Sequence, residues 1–262
     1  PSIAAAIDGF VPDYVVVASR TREHADNLAA LAGRGFEGIV LVEKPLFDRD
    51  RPVPAHRFSR VFVAFNLRFH PALRRFAEIL AATTPHAVHA YVGQYLPDWR
   101  PGTDYRDSYS AKKAEGGGVL RDLSHELDYL NWLLGGWTRA TALGGPVSGL
   151  EIDSDDVYSV LFETANCPVV SVAMNYLDSN VRREAHALTD KGTIHLDLVA
   201  QTVTFGGTTE TFSAARDETY IAEHEAALGN GAGLCTLEAG VQVMKLIDAC
   251  EQAAGGRTWI AA

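Results

Sequence analysis

The sequence predicts an α/β region followed by a larger α+β domain with an open, mainly antiparallel sheet and helices on one of its faces. Residues 13–44 run as an apolar β-branched segment, an amphipathic helical segment and a second apolar segment, which is the pattern of a βαβ unit. Unbroken apolar strands are typical of a parallel sheet that is covered on both faces. From about residue 87, short strand-like segments separated by turn residues replace this pattern.

The first region is expected to hold three strands and one helix. "DYVVVAS" (13–19), "GIVLVEK" (38–44) and "RVFVAFN" (60–66) have strand composition, and "TREHADNLAALAGRG" (21–35) has helical spacing. The opening "PSIAAAIDGFVPD" (1–13) resembles the tail of an earlier helix. These segments predict a βαβ unit followed by a third strand of the same parallel sheet.

The second region is expected to hold five strands, a helix at 118–134 and two helices near the C-terminus. The strand-like segments are "AVHAYVGQYL" (87–96), "DDVYSVLFET" (155–164), "PVVSVAMNYL" (168–177), "RREAHALTD" (182–190) and "GTIHLDL" (192–198). Alternation in residues 168–177 predicts one strongly apolar face, of Val170, Val172, Met174 and Tyr176, and one small, mixed face.

Composition excludes several functional classes. The formal net charge of -10 disfavours nucleic acid and anionic membrane surfaces, because binding to phosphates depends on basic side chains. No apolar stretch approaches the ~18 residues of a membrane span. Three scattered cysteines are too few for a disulfide framework, so a reducing, cytoplasmic setting is expected.

The stretch "GGGVLRDLSHELDYLNWLLGG" (116–136) carries the first chemical signal. Leu123, Leu127, Leu130 and Leu134 form one helical stripe, and Asp122, His125, Tyr129 and Trp132 form another on a different side. Asp122 and His125 are three residues apart, so the carboxylate is expected to orient the imidazole and raise its basicity. The alternative is an acid that complements the helix dipole and a histidine that is merely exposed.

"VEKPL" carries the second signal. Glu43, Lys44 and Pro45 follow a predicted parallel strand, at the edge of an open α/β sheet where ligands gather. The alternative is a plain strand end with a solvated lysine. No metal site is predicted, because neither His195 with Asp197 nor His86 with His89 makes a complete ligand set.

Taken in order, four stretches of the sequence resemble the glucose-fructose oxidoreductase, inositol dehydrogenase and MocA family. They are "VVVASRTREHADNLAALAGRGFEGIVLVEKPL", "FNLRFHPALRRFAEIL", "GGGVLRDLSHELDYLNWLLG" and "AHALTDKGTIHLDL". The loop "YLPDWRPGTDYRDSYSAKKAEGGGVLRDLSHELD" is most similar to bacterial members found with surface-polysaccharide and nucleotide-sugar genes. The resemblance implies hydride transfer between a sugar or nucleotide-sugar carbon and NAD or NADP.

The resemblance also implies roles for individual residues. Lys44 matches the lysine that contacts substrate hydroxyl and cofactor ribose, His125 the histidine that moves the hydroxyl proton, and Asp122 the acid one turn before it. All three are therefore expected in catalysis and substrate binding. Many members space the acid and the histidine by four residues rather than three. The glycine turn and helix start are implied to form the floor of a sugar site beside the nicotinamide.

Further residues are implied on the cofactor and substrate sides. Arg68 resembles a substrate-side arginine, and a structural ion pair is its alternative. The segment 20–24 falls where the family has a proline-containing loop beside the cofactor, with Arg20 in place of that proline and Thr21 alternatively a helix cap. The cofactor candidates are Arg20, Thr21, His24, Glu43, Lys44, Pro45, Trp99 and Arg100.

One departure concerns the front of the chain. No G-x-G-x-x-G turn precedes the first strand, so the sequence is expected to be a fragment of a longer enzyme rather than a naturally shortened one. Residues 1–67 are then the remnant of a dinucleotide-binding (Rossmann) domain, and residues 68–262 a substrate-binding and oligomerisation domain.

The sequence is also compatible with other functions and with a larger assembly. The same fold could carry NAD-dependent glycoside cleavage, reduction of a non-sugar compound, or a non-catalytic binding and assembly role. The resemblance implies a homodimer or homotetramer formed through the open sheet face.

Overall fold

The computed structural model describes residues 9–262, so most of the expected N-terminal helix tail, residues 1–8, lies outside the described residues. The described elements, in chain order, are β1 (Tyr14–Val17), α1 (His24–Gly33), β2 (Ile39–Glu43), β3 (Arg60–Ala64), α2 (Pro71–Ala81), β4 (Pro85–Gly93), α3 (Val119–Asp122), α4 (His125–Leu133), β5 (Trp137–Gly145), β6 (Val157–Thr164), β7 (Val170–Asn175), β8 (Arg182–Thr189), β9 (Gly192–Asp197), β10 (Thr202–Phe205), β11 (Thr208–Thr211), α5 (Glu218–Leu228), β12 (Cys235–Thr236), α6 (Leu237–Gly256) and β13 (Ile260–Ala261).

The smaller sheet has the strand order β1-β2-β3-β12. β1, β2 and β3 run parallel, as the apolar β-branched segments predict, and β12 pairs antiparallel with β3. Val40, Val42 and Val63 are fully buried, which explains why these strands lack polar alternation. The fourth strand comes from residues 235–236, far beyond residue 67, so the smaller sheet draws on both ends of the chain.

The larger sheet has nine strands in the order β11-β10-β9-β8-β4-β7-β6-β5-β13. Its pairs are antiparallel except β4 with β7. Val170, Val172 and Met174 are buried on the helix-covered face, whereas Val169 is 41% exposed, as the alternation predicts. The predicted fold class is therefore confirmed, although β5, β13 and the β10–β11 hairpin were not among the predicted strands.

The predicted helix at 118–134 is wrong in one respect, because it is two helices. α3 ends at Asp122, Leu123 and Ser124 form a turn, and α4 begins at His125. The last carbonyls of a helix have no partner within it, and the Asp122 carbonyl oxygen instead accepts a hydrogen bond from Lys44. The break therefore presents a backbone acceptor to the edge of the smaller sheet.

Between residues 9 and 262, none of the helices combines the length and the apolar character needed to cross a bilayer.

Candidate functional site

Two cavities meet at the carboxyl end of β2. The inner cavity, of about 410 Å³, lies between the two sheets and is lined by Lys44, Leu67, His70, Val92, Gly93, Gln94, Trp99, Tyr109, Asp122, Leu123, His125, Val181, Arg182, Arg183, Leu198, Val199 and Tyr220. The edge cavity, of about 560 Å³, is lined by Ala18, Ser19, Arg20, Thr21, Glu23, His24, Glu43, Lys44 and Tyr109. Lys44 and Tyr109 line both, so they form the wall between them.

Lys44 is held in place by the helix break. Its Nζ donates to the carbonyl oxygen of Asp122 at 2.6 Å. Burial lowers the pKa of Lys44 below its usual value, and the neighbouring Asp122 opposes that shift. An ammonium carries three N–H donors, so one bond to Asp122 leaves two for groups that enter the cavities.

His125 is a buried, neutral imidazole in the wall of the inner cavity. Its ring packs edge-on against Phe65, with centroids 5.6 Å apart. Burial, followed by the positive charges of Lys44 and Arg183, holds the pKa of His125 well below its usual range. Its Nδ1 is buried and has no hydrogen-bond partner among the described residues. The ring is therefore unprotonated at neutral pH, and a nitrogen lone pair can accept a hydrogen bond from a hydroxyl group in the cavity.

The expectation that Asp122 orients His125 and raises its basicity is wrong. The Asp122 carboxylate instead accepts a hydrogen bond from the Tyr176 hydroxyl at 2.6 Å. The pKa of His125 is lowered, not raised. Neighbours three residues apart share a face only on a continuous helix, and here the helix ends at Asp122 and restarts at His125.

Two tyrosines and an arginine join this site without having been predicted. Tyr109 lines both cavities, and burial together with Asp122 raises its pKa. Arg183 lines the inner cavity and pairs with the buried Glu126, with Nε and Oε1 2.9 Å apart. Only Tyr176 left a signal in the sequence, because alternation in residues 168–177 assigns it to the buried face.

The glycine run before α3 makes a tight turn possible. Gly116 and Gly118 have φ of 87° and 119°, which favour glycine. A side chain at Gly117 would clash with the Tyr109 carbonyl oxygen. Asp155 then accepts a hydrogen bond from the Leu120 N–H at 3.1 Å, near the start of α3. The turn thus sets the start of α3, while Asp122, Leu123 and His125 form the cavity wall.

The predicted loop at 20–24 does border the edge cavity. His24 is buried, with Nδ1 3.2 Å from the carbonyl oxygens of Pro45 and Leu46 and Nε2 3.1 Å from that of Ser19. It thereby ties α1 to the segment that follows Lys44. Thr21 is the first residue of a short 3-10 helix, and the residue preceding α1 is Glu23, so the capping role considered for Thr21 is wrong.

The remaining cofactor candidates lie around the same wall. Arg20 and Glu43 line the edge cavity, and the exposed Arg20 lies 3.6 Å from the half-buried Glu115 in an ion pair. Trp99 lines the inner cavity and packs edge-on against Tyr176. Arg100 lies over the Tyr109 ring, 5.4 Å from its centroid. Pro45 contributes its carbonyl oxygen to His24.

Arg68 is placed in a buried ion pair rather than with Lys44 and His125. Its Nε and Nη2 donate to the two carboxylate oxygens of Asp128 at 2.8 and 2.6 Å, and Nη1 donates to the Leu234 carbonyl oxygen. Both partners are buried. The guanidinium is thus occupied by the fold, which agrees with the structural alternative raised for Arg68.

A glycine pattern at 33–38, "GRGFEG", lies in the wrong structural context to cradle a pyrophosphate. Dinucleotide sites place such a pattern after a strand and before a helix. Here the pattern follows α1 and precedes β2. Gly35 has φ of 69° just after the helix, and a side chain at Gly38 would meet the Asp13 carbonyl oxygen at 2.5 Å. These glycines serve the helix-to-strand turn.

Comparison with known proteins supports the architecture. Residues 74–195 match the model of the GFO/IDH/MocA C-terminal domain. The chain is similar to GenD2 from gentamicin A biosynthesis, solved in complex with NAD, with a TM-score of 0.79 and 22% identity over 99% of this chain and 80% of that one.

Two further solved structures have the same architecture. A levoglucosan dehydrogenase, solved with NADH and levoglucosan, has a TM-score of 0.79 and 20% identity over 95% of this chain and 80% of that one. A myo-inositol dehydrogenase from Corynebacterium glutamicum has a TM-score of 0.74 and 22% identity over 98% of this chain and 82% of that one. No curated protein matches the sequence significantly. At these identities, the structural similarities show a shared fold.

Proposed function

We propose that this chain is an NAD- or NADP-dependent oxidoreductase, because residues 74–195 match the model of the GFO/IDH/MocA C-terminal domain. The proposed reaction transfers a hydride between nicotinamide and a carbon of a sugar or nucleotide sugar. The observation that carries the proposal is the position of Lys44. Its ammonium borders two cavities at the carboxyl end of a parallel strand, and His125 lines the inner one.

The edge cavity fits the nicotinamide end of a dinucleotide. In open α/β sheets, such cofactors bind outside the carboxyl ends of the strands. Ala18 and Ser19 follow β1, and Glu43 and Lys44 stand at the end of β2. When bound there, the nicotinamide accepts or supplies the hydride. GenD2 and the levoglucosan dehydrogenase were solved with NAD and NADH respectively, which supports this assignment.

The inner cavity fits a small polyhydroxylated substrate. Its volume of about 410 Å³ lies in the range of small-molecule sites. Gln94, His70 and Tyr220 add polar side chains to its lining. The substrate class is a proposal supported by the names of the similar structures, which include dehydrogenases of levoglucosan and myo-inositol.

In the oxidation direction, Lys44 and His125 have different roles at the substrate hydroxyl. The N–H groups of Lys44 that are not bonded to Asp122 donate to the oxygen and stabilise the charge that develops on it. The hydroxyl proton passes to the neutral imidazole of His125 as the hydride leaves the carbon. Asp122 acts in two ways, because its carbonyl oxygen accepts a hydrogen bond from Lys44 and its carboxylate accepts one from the Tyr176 hydroxyl.

The proposal includes an organisation for the whole protein. Residues 1–67 serve the cofactor side, and residues 68–262 form the substrate-binding part. The open face of the nine-stranded sheet is proposed to join copies of the chain into a homodimer or homotetramer. Exposed apolar side chains on this face, including Leu161 and Leu188, support the contact.

The experiment is a spectrophotometric assay of nicotinamide reduction with a panel of sugars, polyols and nucleotide sugars, each tested with NAD and with NADP. In Lys44→Met the ammonium is removed while most of the side-chain length is kept. We expect turnover with the best substrate to fall at least ~10²-fold and its KM to rise. Lys245→Met, at an exposed position on α6, is the matched control and should be unaffected. Normal turnover and KM in Lys44→Met would refute the assignment of Lys44.

A further inference from the structure

A row of histidines crosses the open face of the nine-stranded sheet, away from both cavities. His89 on β4 stands directly opposite His186 on β8, and His186 directly opposite His195 on β9. Glu184 lies two residues before His186, so it projects from the same face of β8. Ala185 and Ala187, which alternate with these residues, are buried on the helix-covered face.

Three of these side chains converge. One ligand atom each from Glu184, His186 and His195 lies within 4.8 Å of the other two. The imidazole rings of His186 and His195 are stacked, with centroids 4.2 Å apart and planes 12° from parallel. Nε2 of His195 lies 3.6 Å from Oε2 of Glu184, which is too far for a hydrogen bond.

The convergence leaves a polar atom unsatisfied. Nε2 of His195 is buried and has no hydrogen-bond partner within residues 9–262. An unpartnered buried nitrogen costs free energy that a ligand can recover.

We propose that Glu184, His186 and His195 form a binding site for a divalent transition-metal ion of the zinc type. Two imidazole nitrogens and one carboxylate oxygen are a common three-ligand set for zinc, with water in the fourth position. Zinc lies about 2.0–2.2 Å from such atoms, so ligand atoms around a tetrahedral ion stand roughly 3.3 Å apart. Rotations that move each side chain inward by about 1 Å close the present separations to that value.

The sequence does not reveal this site, because its ligands come from two strands. The β8–β9 hairpin brings Glu184 and His195 together across eleven positions of the chain. The converging set has three members, and two neighbouring side chains form hydrogen bonds of their own. Nδ1 of His89 is 2.7 Å from the Ser171 hydroxyl, and Oδ1 of Asp197 accepts from the N–H groups of Val199 and Ala200. The inference does not rest on the proposed oxidoreductase activity.

The test is titration of the chelator-treated chain with Zn²⁺ by calorimetry, and with Co²⁺ by its visible absorption, which reports tetrahedral coordination. We expect one ion per chain with a Kd of about 10 µM or tighter. The double variant His186→Phe/His195→Phe keeps two stacked aromatic rings but removes both nitrogen ligands. It should lose at least about 100-fold in affinity, and Glu184→Gln at least about tenfold.

His86→Phe is the matched control, because His86 is an exposed histidine on β4 outside the cluster. It should bind Zn²⁺ as the parent does. Circular dichroism and melting temperature establish that each variant is folded. The proposal is overturned if the folded parent binds no Zn²⁺ at 100-fold molar excess, or if the folded double variant binds it as tightly as His86→Phe does.

Discussion

Two groups of buried ionisable side chains lie around α4. They differ in how fully their polar atoms are paired by hydrogen bonds and opposite charges. Arg68 and Asp128 meet through two short hydrogen bonds, and the Leu234 carbonyl takes a third. Lys44 and His125 sit beside them with one hydrogen bond to a neutral carbonyl and a buried Nδ1 that lacks a partner in the described chain.

The difference distinguishes a pair that stabilises the fold, Arg68 with Asp128, from side chains that can still bind a ligand, Lys44 and His125. Burying a charge costs free energy unless another charge and hydrogen bonds compensate it. The Arg68–Asp128 pair is compensated within the protein. The Lys44 ammonium and the His125 ring are incompletely compensated, and both border a cavity. A residue that is buried, ionisable and under-bonded is therefore a better indicator of a site here than burial alone.

The largest effect is expected at His125. His125→Ala removes the proposed proton acceptor, so turnover of the best substrate should fall by ~10²–10⁴-fold while cofactor affinity changes little. Steady-state kinetics and cofactor titration measure the two effects. His86→Ala, at an exposed position, is the control. An unchanged turnover number in His125→Ala would show that this histidine has a structural role, as the Arg68–Asp128 pair does.

The next effect concerns the compensated pair. Arg68→Met leaves the Asp128 carboxylate buried and unpaired, so the free energy of unfolding should fall by about 3–5 kcal/mol. Denaturant unfolding followed by circular dichroism measures it. Replacing both partners, as Arg68→Met/Asp128→Leu, should recover much of the loss, because no charge is then left behind. A substrate-binding role would instead appear as a raised KM in Arg68→Met with stability unchanged.

A third case is a buried ionisable side chain that keeps its proton in the folded state. Glu223, on α5, is buried, and its Oε1 has no partner among residues 9–262. Burial, followed by the negative charges of Glu43 and Asp128, raises its pKa to about 8. The folded state therefore keeps a proton that the unfolded state releases above its ordinary pKa of 4.5. The associated stability is complete below pH 4.5 and is lost as the pH rises through 8.

Glu223→Gln, which cannot ionise, tests the predicted direction of this pH dependence of stability. The variant should be more stable than the parent by on the order of 2 kcal/mol at pH 9, and the gain should shrink towards pH 5. Unfolding free energies of both proteins at pH 5, 7 and 9 provide the measurement. Glu225→Gln, at an exposed position on the same helix, should show no such trend. A gain that does not vary with pH would contradict the raised pKa.

The sheets were largely predictable from the sequence because their signals are local. The apolar runs around Val40 and Val61 indicate strands buried on both faces, and alternation through Val172 assigns the buried face of β7 correctly. β12 was not predictable, since two residues carry no periodicity and their pairing with β3 spans most of the chain.

The site was less predictable because its decisive contacts are not local. "EKP" and "SHELD" place Lys44 and His125 near a ligand edge, but nothing in the spacing reveals that the helix ends at Asp122. That ending redirects the Asp122 carboxylate to Tyr176 and its carbonyl to Lys44, across 54 and 78 positions of the chain. Helical periodicity describes a continuous helix, so it cannot anticipate contacts that arise from an interruption.

The wall shared by the two cavities has a thermodynamic consequence. Lys44 and Tyr109 border both spaces, so a ligand that fixes either side chain alters the surface that the other ligand meets. Any such coupling is reciprocal: the factor by which the first ligand tightens the second equals the factor by which the second tightens the first. The ammonium of Lys44 therefore couples the affinity of the ligand in the edge cavity to that of the ligand in the inner cavity. Titrating the two ligands in either order must give the same coupling factor.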